Sequence, residues 1–353
     1  MKLEFRAREL LSDYEWELYQ KFINRCDVDR DEVRRLSERS NLLGILRVTF
    51  YVGALVLAAW AAVAAAEYHW ALTVPMLYLY WFLYGFWVAL GHELQHKIVF
   101  AKSMNTFSEF IYFFVQVFMW NSPRYARISH QLHHRYTMVR GVDPETDWPE
   151  VITTPWLKKY LRGIILNILV IGAPVSLFRE IKRQIERIAG KRDRMMRDQC
   201  TEEDCRKIRS ESAAILLIHI LIAVSAIVFG TWWPILFVTI AWQVGAAMET
   251  LWHSTEHIGR IYNSNDQRLV TRSIKISPLL RLLYGGLDDH VDHHIYPWVP
   301  SRNLPKLHRL MSPDLAEPRS MINCWREMFA IAREKDERPQ NEYVPVAELQ
   351  RKC

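Results

Sequence analysis

The stretch WALTVPMLYLYWFLYGFWVALGHELQH, residues 70–96, carries two signals in succession. Trp70–Gly91 holds no charged residue. At about 1.5 Å of helical rise per residue it is long enough to cross a hydrocarbon core of about 30 Å. The run ends in His92-Glu-Leu-Gln-His96, which puts two imidazoles at i and i+4 on one helix face, where they can grip one ion. A membrane span that delivers paired histidines to its own end is therefore the pattern to follow along the chain.

Val48–Ala66 is a second uncharged run, separated from the first by Glu67-Tyr68-His69. Ala213–Gly230 and Thr231–Met248 repeat the plan, with Trp232, Trp233 and Pro234 near the turn, and aromatics at that level fit a membrane interface. Two weaker runs are Phe107–Trp120, which contains Glu109, and Gly163–Phe178, which contains Pro174. Both fall below the usual span of ~17–25 residues and read as interfacial or re-entrant helices. The turns 67–69 and 230–231 contain no Lys or Arg, while all 45 basic residues lie elsewhere. The positive-inside rule then places both termini and the large polar regions in the cytosol. The expectation is an all-α integral membrane protein with four transmembrane helices in two hairpins and a helical cytosolic cap. It is read as a single domain over residues 1–353: a cytosolic lead-in (1–47), the first hairpin (48–91), a histidine-bearing region (92–212), the second hairpin (213–250) and a second histidine-bearing region (251–353). The lead-in reads as helical, with Leu10, Leu11, Trp16 and Leu18 as apolar anchors.

Composition narrows the function. A net charge of +6 with no basic stripe interleaved with stacking aromatics gives no reason to expect a nucleic-acid partner. The five cysteines, Cys26, Cys200, Cys205, Cys324 and Cys353, form no CxxC pair, which speaks against a disulfide framework, a zinc ribbon or a fused rubredoxin. The amino terminus, MKLEFRARELLSDYEWELYQ, is charged throughout and does not read as a cleaved signal peptide. Arg179–Arg197 is strongly basic, with Phe178, Ile181, Ile185 and Ile188 at helical spacing. It reads as a solvated helix with one packed face. The alternative is a helix lying on anionic lipid or receiving an acidic electron carrier.

Ten of the 13 histidines fall into four tight groups. They are His92 with His96, His130-Gln-Leu-His133-His134, His253-Ser-Thr-Glu256-His257 and His290-Val-Asp-His293-His294. Each HxxHH can present three imidazoles on one helix face. Two spans separate the second group from the third, so all four groups reach the same side of the bilayer. A lone histidine is usually packed or solvated, which is the reading of His69, His219 and His308. Clustered boxes read as metal ligands. Nine or ten histidines are too many for one ion and suit two, although imidazole serves Zn, Cu, Fe and Ni alike.

The order HxxxH, HxxHH, HxxHH resembles the membrane fatty acid desaturase and hydroxylase superfamily. HVDHHIYPWVPSRNLPKLHRL is similar to that family's third box with its Pro-rich tail, and HSTEHIG resembles the histidine element after the final span, also found in alkane hydroxylases. The resemblance runs from about Trp70 to Leu310 and implies two irons held by His92, His96, His130, His133, His134, His257, His290, His293 and His294. His253 stands where stearoyl-CoA desaturases carry an asparagine, which leaves it between a ligand and a water-mediated partner. Glu93, Glu256, Asp289 and Asp292 are candidates to accept the outer ring N–H of a ligating histidine, or are ordinary solvated carboxylates. The acidic stretch Asp143-Pro-Glu-Thr-Asp147 resembles a loop common in relatives and carries no assigned role.

The chemistry so implied is O2-dependent attack on an unactivated C–H bond. The chain has no HPGG, no cysteine pairs and no GxGxxG, so a separate electron donor is expected: a ferredoxin, a rubredoxin or cytochrome b5. A desaturase acting on a lipid acyl chain or a small metabolite leads. A hydroxylase with the same irons is the alternative. A metal transporter is a distant third, since His219 is the one histidine inside an expected span.

Overall fold

Among the described residues, four helices are long and apolar enough to cross a membrane: Asn41–Tyr68, Trp70–Gln95, Glu202–Val228 and Ile235–His257. They overlap the four runs read from sequence and extend past them on the polar side, because a helix continues into polar residues beyond the lipid. The computed structural model describes residues 28–149 and 151–339, so Leu10, Leu11, Trp16 and Leu18 lie outside the described residues. The chain divides into two units. One gathers Arg39–Arg127 and Arg162–Thr250, and the other the described residues of Met1–Glu38, Ile128–Leu161 and Leu251–Cys353.

The first unit wears its apolar residues outside. Leu57, Trp60, Leu221 and Ile227 are all exposed, the inverse of a water-soluble helix and the arrangement lipid rewards. At the first hairpin, His69 adopts extended backbone and its Nδ1 accepts the Ala71 N–H at 3.1 Å, starting the second helix. This histidine serves the turn. Further along, the second and fourth spans meet backbone to backbone. A Cβ on Gly85 would collide with the Gly245 carbonyl oxygen, and one on Gly245 would lie 2.7 Å from the Gly85 nitrogen. Small residues permit such approach in lipid-embedded helices.

The fourth span opens with a π-helical turn, Ile235–Thr239. Three indole or phenol groups serve its carbonyls: Trp81 Nε1 donates to Leu236 at 2.9 Å, the Tyr80 hydroxyl to Phe237 at 2.7 Å, and Trp120 Nε1 to Thr239 at 3.0 Å. In lipid no water can satisfy such carbonyls, so side chains must. His219 stacks on Trp120 with ring centroids 3.8 Å apart, between the Thr239 hydroxyl (3.4 Å) and the Val117 carbonyl (3.3 Å). It is a packed histidine with both ring nitrogens engaged.

The weaker runs behave as their lengths suggest. Asn105–Phe118 is a helix of 14 residues. Thr154–Ile168 and Ala173–Ile188 are long and apolar enough for a span only together and are bent by 99°, the geometry of a broken span or a re-entrant loop. The basic helix corrects its sequence reading. Phe178 is 66% and Ile185 53% exposed, whereas Gln184 and Arg187 are buried. Arg187 lies 3.8 Å over the Tyr125 ring, and the Gln184 amide donates to the Trp120 carbonyl at 2.9 Å. Gln184 and Arg187 face inward because aromatic and carbonyl partners await them there, Ile181 packs inward beside Leu177, and Phe178 and Ile185 share the exposed face with Arg179, Lys182 and Arg183. That is the pattern of an interfacial helix rather than a solvated one.

Among the described residues, the regular structure of the second unit is helical apart from a two-residue parallel pairing, Ile274↔Arg319 and Lys275↔Ser320. The all-α expectation holds for the fold, and two residues are too few for an alternating pattern to appear in sequence. Its cores are small and local. Val291, Ile295 and Tyr296 pack with Leu304, Leu307 and Met311. Ile152, Leu157 and Ile258 pack with Met328 and Ala332, flanked by Trp148, Trp156 and Trp325.

Candidate metal centre

Helix periodicity decides which way each imidazole faces. In the helix His290–Ile295, Val291 and Ile295 enter the apolar core with Leu304 and Met311. His290, His293 and His294 occupy i, i+3 and i+4 and share another face. His130, His133 and His134 repeat the spacing in the helix Pro123–Arg135, and His257 ends the helix Ala241–His257. At the start of Pro123–Arg135, Glu211 accepts the Ser122 hydroxyl at 2.5 Å and the Arg124 N–H at 2.8 Å, which caps the helix that carries the second box.

Within this unit the imidazoles gather into two groups. His133, His257, His290 and His294 are all buried, with ligand atoms within 4.8 Å of one another. His290 Nε2 lies 3.0 Å from His257 Nε2 and 3.1 Å from His294 Nε2. In the other group, His134 Nε2 lies 3.0 Å from His130 Nε2 and 3.1 Å from His293 Nε2.

The outer nitrogens explain why these inner ones converge. His133 Nδ1 donates to Asp143 at 2.9 Å, His257 Nδ1 to the Val270 carbonyl at 3.1 Å, and His130 Nδ1 to Glu145 at 3.1 Å. His294 Nδ1 lies 3.2 Å from the Thr137 hydroxyl, which spends its own proton on the His133 carbonyl at 2.6 Å and so accepts from His294. Each of these four rings thereby carries its proton on Nδ1 and a lone pair on Nε2, the tautomer assigned by the hydrogen-bond network. Lone pairs from His257 and His294 both face His290 Nε2, and a single proton there can serve only one of them. A cation serves all, so the donor set fits a metal ion.

Electrostatics agree. Burial, reinforced by neighbouring imidazoles, holds His290, His293 and His294 well below the usual histidine range, so they are neutral and able to ligate. Burial alone would raise the Asp143 carboxyl, but His133 together with the Thr146 hydroxyl and the Glu145 amide brings it down to about 2. Burial likewise opposes protonation of His133, yet the Asp143 carboxylate lifts it above the ordinary value.

The sequence missed Asp143, Glu145 and Thr137 as supports. Asp143 alone accepts from His133, the Met138 amide (2.9 Å), the Thr146 hydroxyl (2.7 Å) and the Glu145 amide (2.9 Å). The signal available was the acidic Asp143–Asp147 stretch after the second box. The other candidates are placed as follows. His92 and His96 belong to the first unit, their ring centroids 4.9 Å apart. There Glu93, buried, forms an ion pair with Arg47. Asp289 pairs with Arg281, and Asp292 with His308 Nδ1 at 3.0 Å, so His308 has a partner in the third box that its sequence context did not reveal. His253 is outside both groups. Its side chain is 52% exposed, with Nδ1 3.0 Å from Glu256 Oε2.

Residues 68–325 match the family described as fatty acid desaturase. No match to a curated protein was found.

Proposed function

The chain belongs to the fatty acid desaturase family, and from that premise we propose that it introduces a C=C bond into a lipid acyl chain or a small metabolite, using two irons and an external electron donor. Family membership makes it an O2-dependent oxidoreductase, and its four candidate spans make it a multi-pass membrane protein. The observation that carries the proposal is the convergence of buried imidazole Nε2 atoms whose Nδ1 atoms are held from behind by Asp143, Glu145, Thr137 and the Val270 carbonyl. The proposed ligands are His92, His96, His130, His133, His134, His257, His290, His293 and His294, with His92 and His96 included on the strength of the box pattern.

When bound, two reduced irons supply the activation of O2 that removal of hydrogen from an unactivated carbon requires. The residues set the conditions for it. Asp143 and Glu145 fix ring orientation and hold the neutral ring's proton on the outer nitrogen, and outer partners of this kind are worth about 10–100-fold in metal affinity. Burial of His290, His293 and His294 keeps bulk water from the ligands. Placement of one substrate carbon decides between loss of a second hydrogen and insertion of oxygen. The third box with its tail, His290–His308, favours the desaturase outcome. Running the reaction under 18O2 with reductant and a matching donor separates the two. The expected product is two mass units lighter and free of label, and an 18O-labelled alcohol as the main product contradicts desaturation.

The proposed orientation puts the histidine boxes and both termini in the cytosol, on the side opposite the Lys- and Arg-free turns. In a background with the five native cysteines replaced by serine, cysteines at Tyr68, which is 80% exposed, and at Thr231 should react with an impermeant maleimide in intact cells. A cysteine at the exposed Ser312 should react only after permeabilisation. Labelling of Ser312→Cys in intact cells reverses the assignment.

A further inference from the structure

We propose that Glu256 supplies an oxygen donor to the ion gathered by His133, His257, His290 and His294, with its carboxylate set in place by Tyr284. The inference rests on the metal-centre reading above and adds a ligand class that the histidine boxes do not contain.

Glu256 is fully buried and immediately precedes His257 in the chain. Its Oε1 accepts the Tyr284 hydroxyl at 2.7 Å. Tyr284 is itself buried at the end of the helix Pro278–Tyr284, where Gly285 turns the chain with φ of 72°. One oxygen is thus anchored and the other is aimed. Oε2 lies 3.4 Å from His290 Nε2 and 3.0 Å from His253 Nδ1, yet meets hydrogen-bond geometry with neither.

What distinguishes Glu256 from the supporting carboxylates is which nitrogen it faces. Asp143 and Glu145 stand behind their histidines, at Nδ1. Glu256 stands at Nε2 of His290, the same atom that faces His257 and His294. A support belongs on the outer nitrogen, whereas a group on the inner one shares the ion. Charge favours the same conclusion. A buried carboxylate needs a cation, and among the described residues the charged groups paired with Glu256 are two imidazoles, one of them a proposed neutral ligand. A dication at the inner nitrogens offsets the carboxylate directly, and mixed imidazole–carboxylate sets suit iron. His253, half-exposed beside Oε2, then buttresses the carboxylate rather than ligating, consistent with its place outside both histidine groups.

Mössbauer spectra of the full-length protein loaded with 57Fe(II) test this, with iron content measured alongside. Wild type should hold two irons and give two quadrupole doublets of equal area. Glu256→Gln should shift one doublet and leave the other in place. Tyr284→Phe, which removes only the anchoring hydroxyl, should shift the same doublet by less, and it decides the matter should Glu256→Gln fail to fold. Spectra of both variants that superimpose on wild type at two irons per chain overturn the proposal. A wild-type protein with fewer than two irons contradicts the metal-centre reading itself, before any variant is compared.

Discussion

In His294→Ala, product formation should fall at least about 100-fold, more than removal of any supporting partner would cost. His294 is the imidazole most central to the second unit's cluster. Its ring lies 4.3 Å from that of His134, 4.9 Å from His133 and 5.1 Å from His257. Its loss would open one of the two proposed sites and leave a void against His134 of the other. Alanine also frees the Thr137 hydroxyl from His294 Nδ1, a minor loss because Thr137 keeps its bond to the His133 carbonyl. Product analysis of expressing cells, with size-exclusion profiles to confirm folding, gives the comparison. His69→Ala, which touches only the first turn, should retain wild-type activity. Activity of His294→Ala within a few-fold of wild type would remove the third box from the reaction.

Asp143→Asn should weaken binding of the ion at His133 by about 10–100-fold, with a parallel drop in activity at limiting iron. The substitution preserves size but exchanges a carboxylate that accepts from four donors for an amide with one acceptor oxygen. The folded state should also lose about 2–5 kcal/mol, because donors buried with Asp143 are left unsatisfied. Chelator competition measures the first effect and thermal unfolding of the metal-free protein the second. The sign of the linkage is definite. Asp143 has a lowered pKa in the fold, so its contribution is present above the usual carboxylate range and fades as pH falls toward about 2. The variant should be less stable than wild type at neutral pH, with the difference narrowing in acid. Equal metal affinity in the two proteins would mean that the loop does not orient His133.

The histidine boxes were legible because imidazoles gathered on one helix face leave a periodic trace. Three imidazoles that must share a face have to stand at i, i+3 and i+4, and His290, His293 and His294 do. The spans were legible because lipid forbids charge over about twenty residues. Asp143 left no such trace. It reaches back ten residues to His133 through a turn whose path is set by the Met138 amide and the Val139 carbonyl, and no periodicity connects a loop carboxylate to a helical ring. Glu256 was visible as an acidic neighbour, but only the fold shows that it faces His290 Nε2 rather than Nδ1. The basic helix misled for a related reason. Spacing reports that a helix is amphipathic but not which of its apolar residues pack, and here Ile181 turns inward while Phe178 and Ile185 stand exposed.

The central claim is that this fold builds two metal sites from clustered imidazoles, and counting iron in the purified, reconstituted protein tests it most directly. The expected stoichiometry is two irons per chain in wild type, reduced in His134→Ala and in His294→Ala. One iron per chain, unchanged by either substitution, would contradict it.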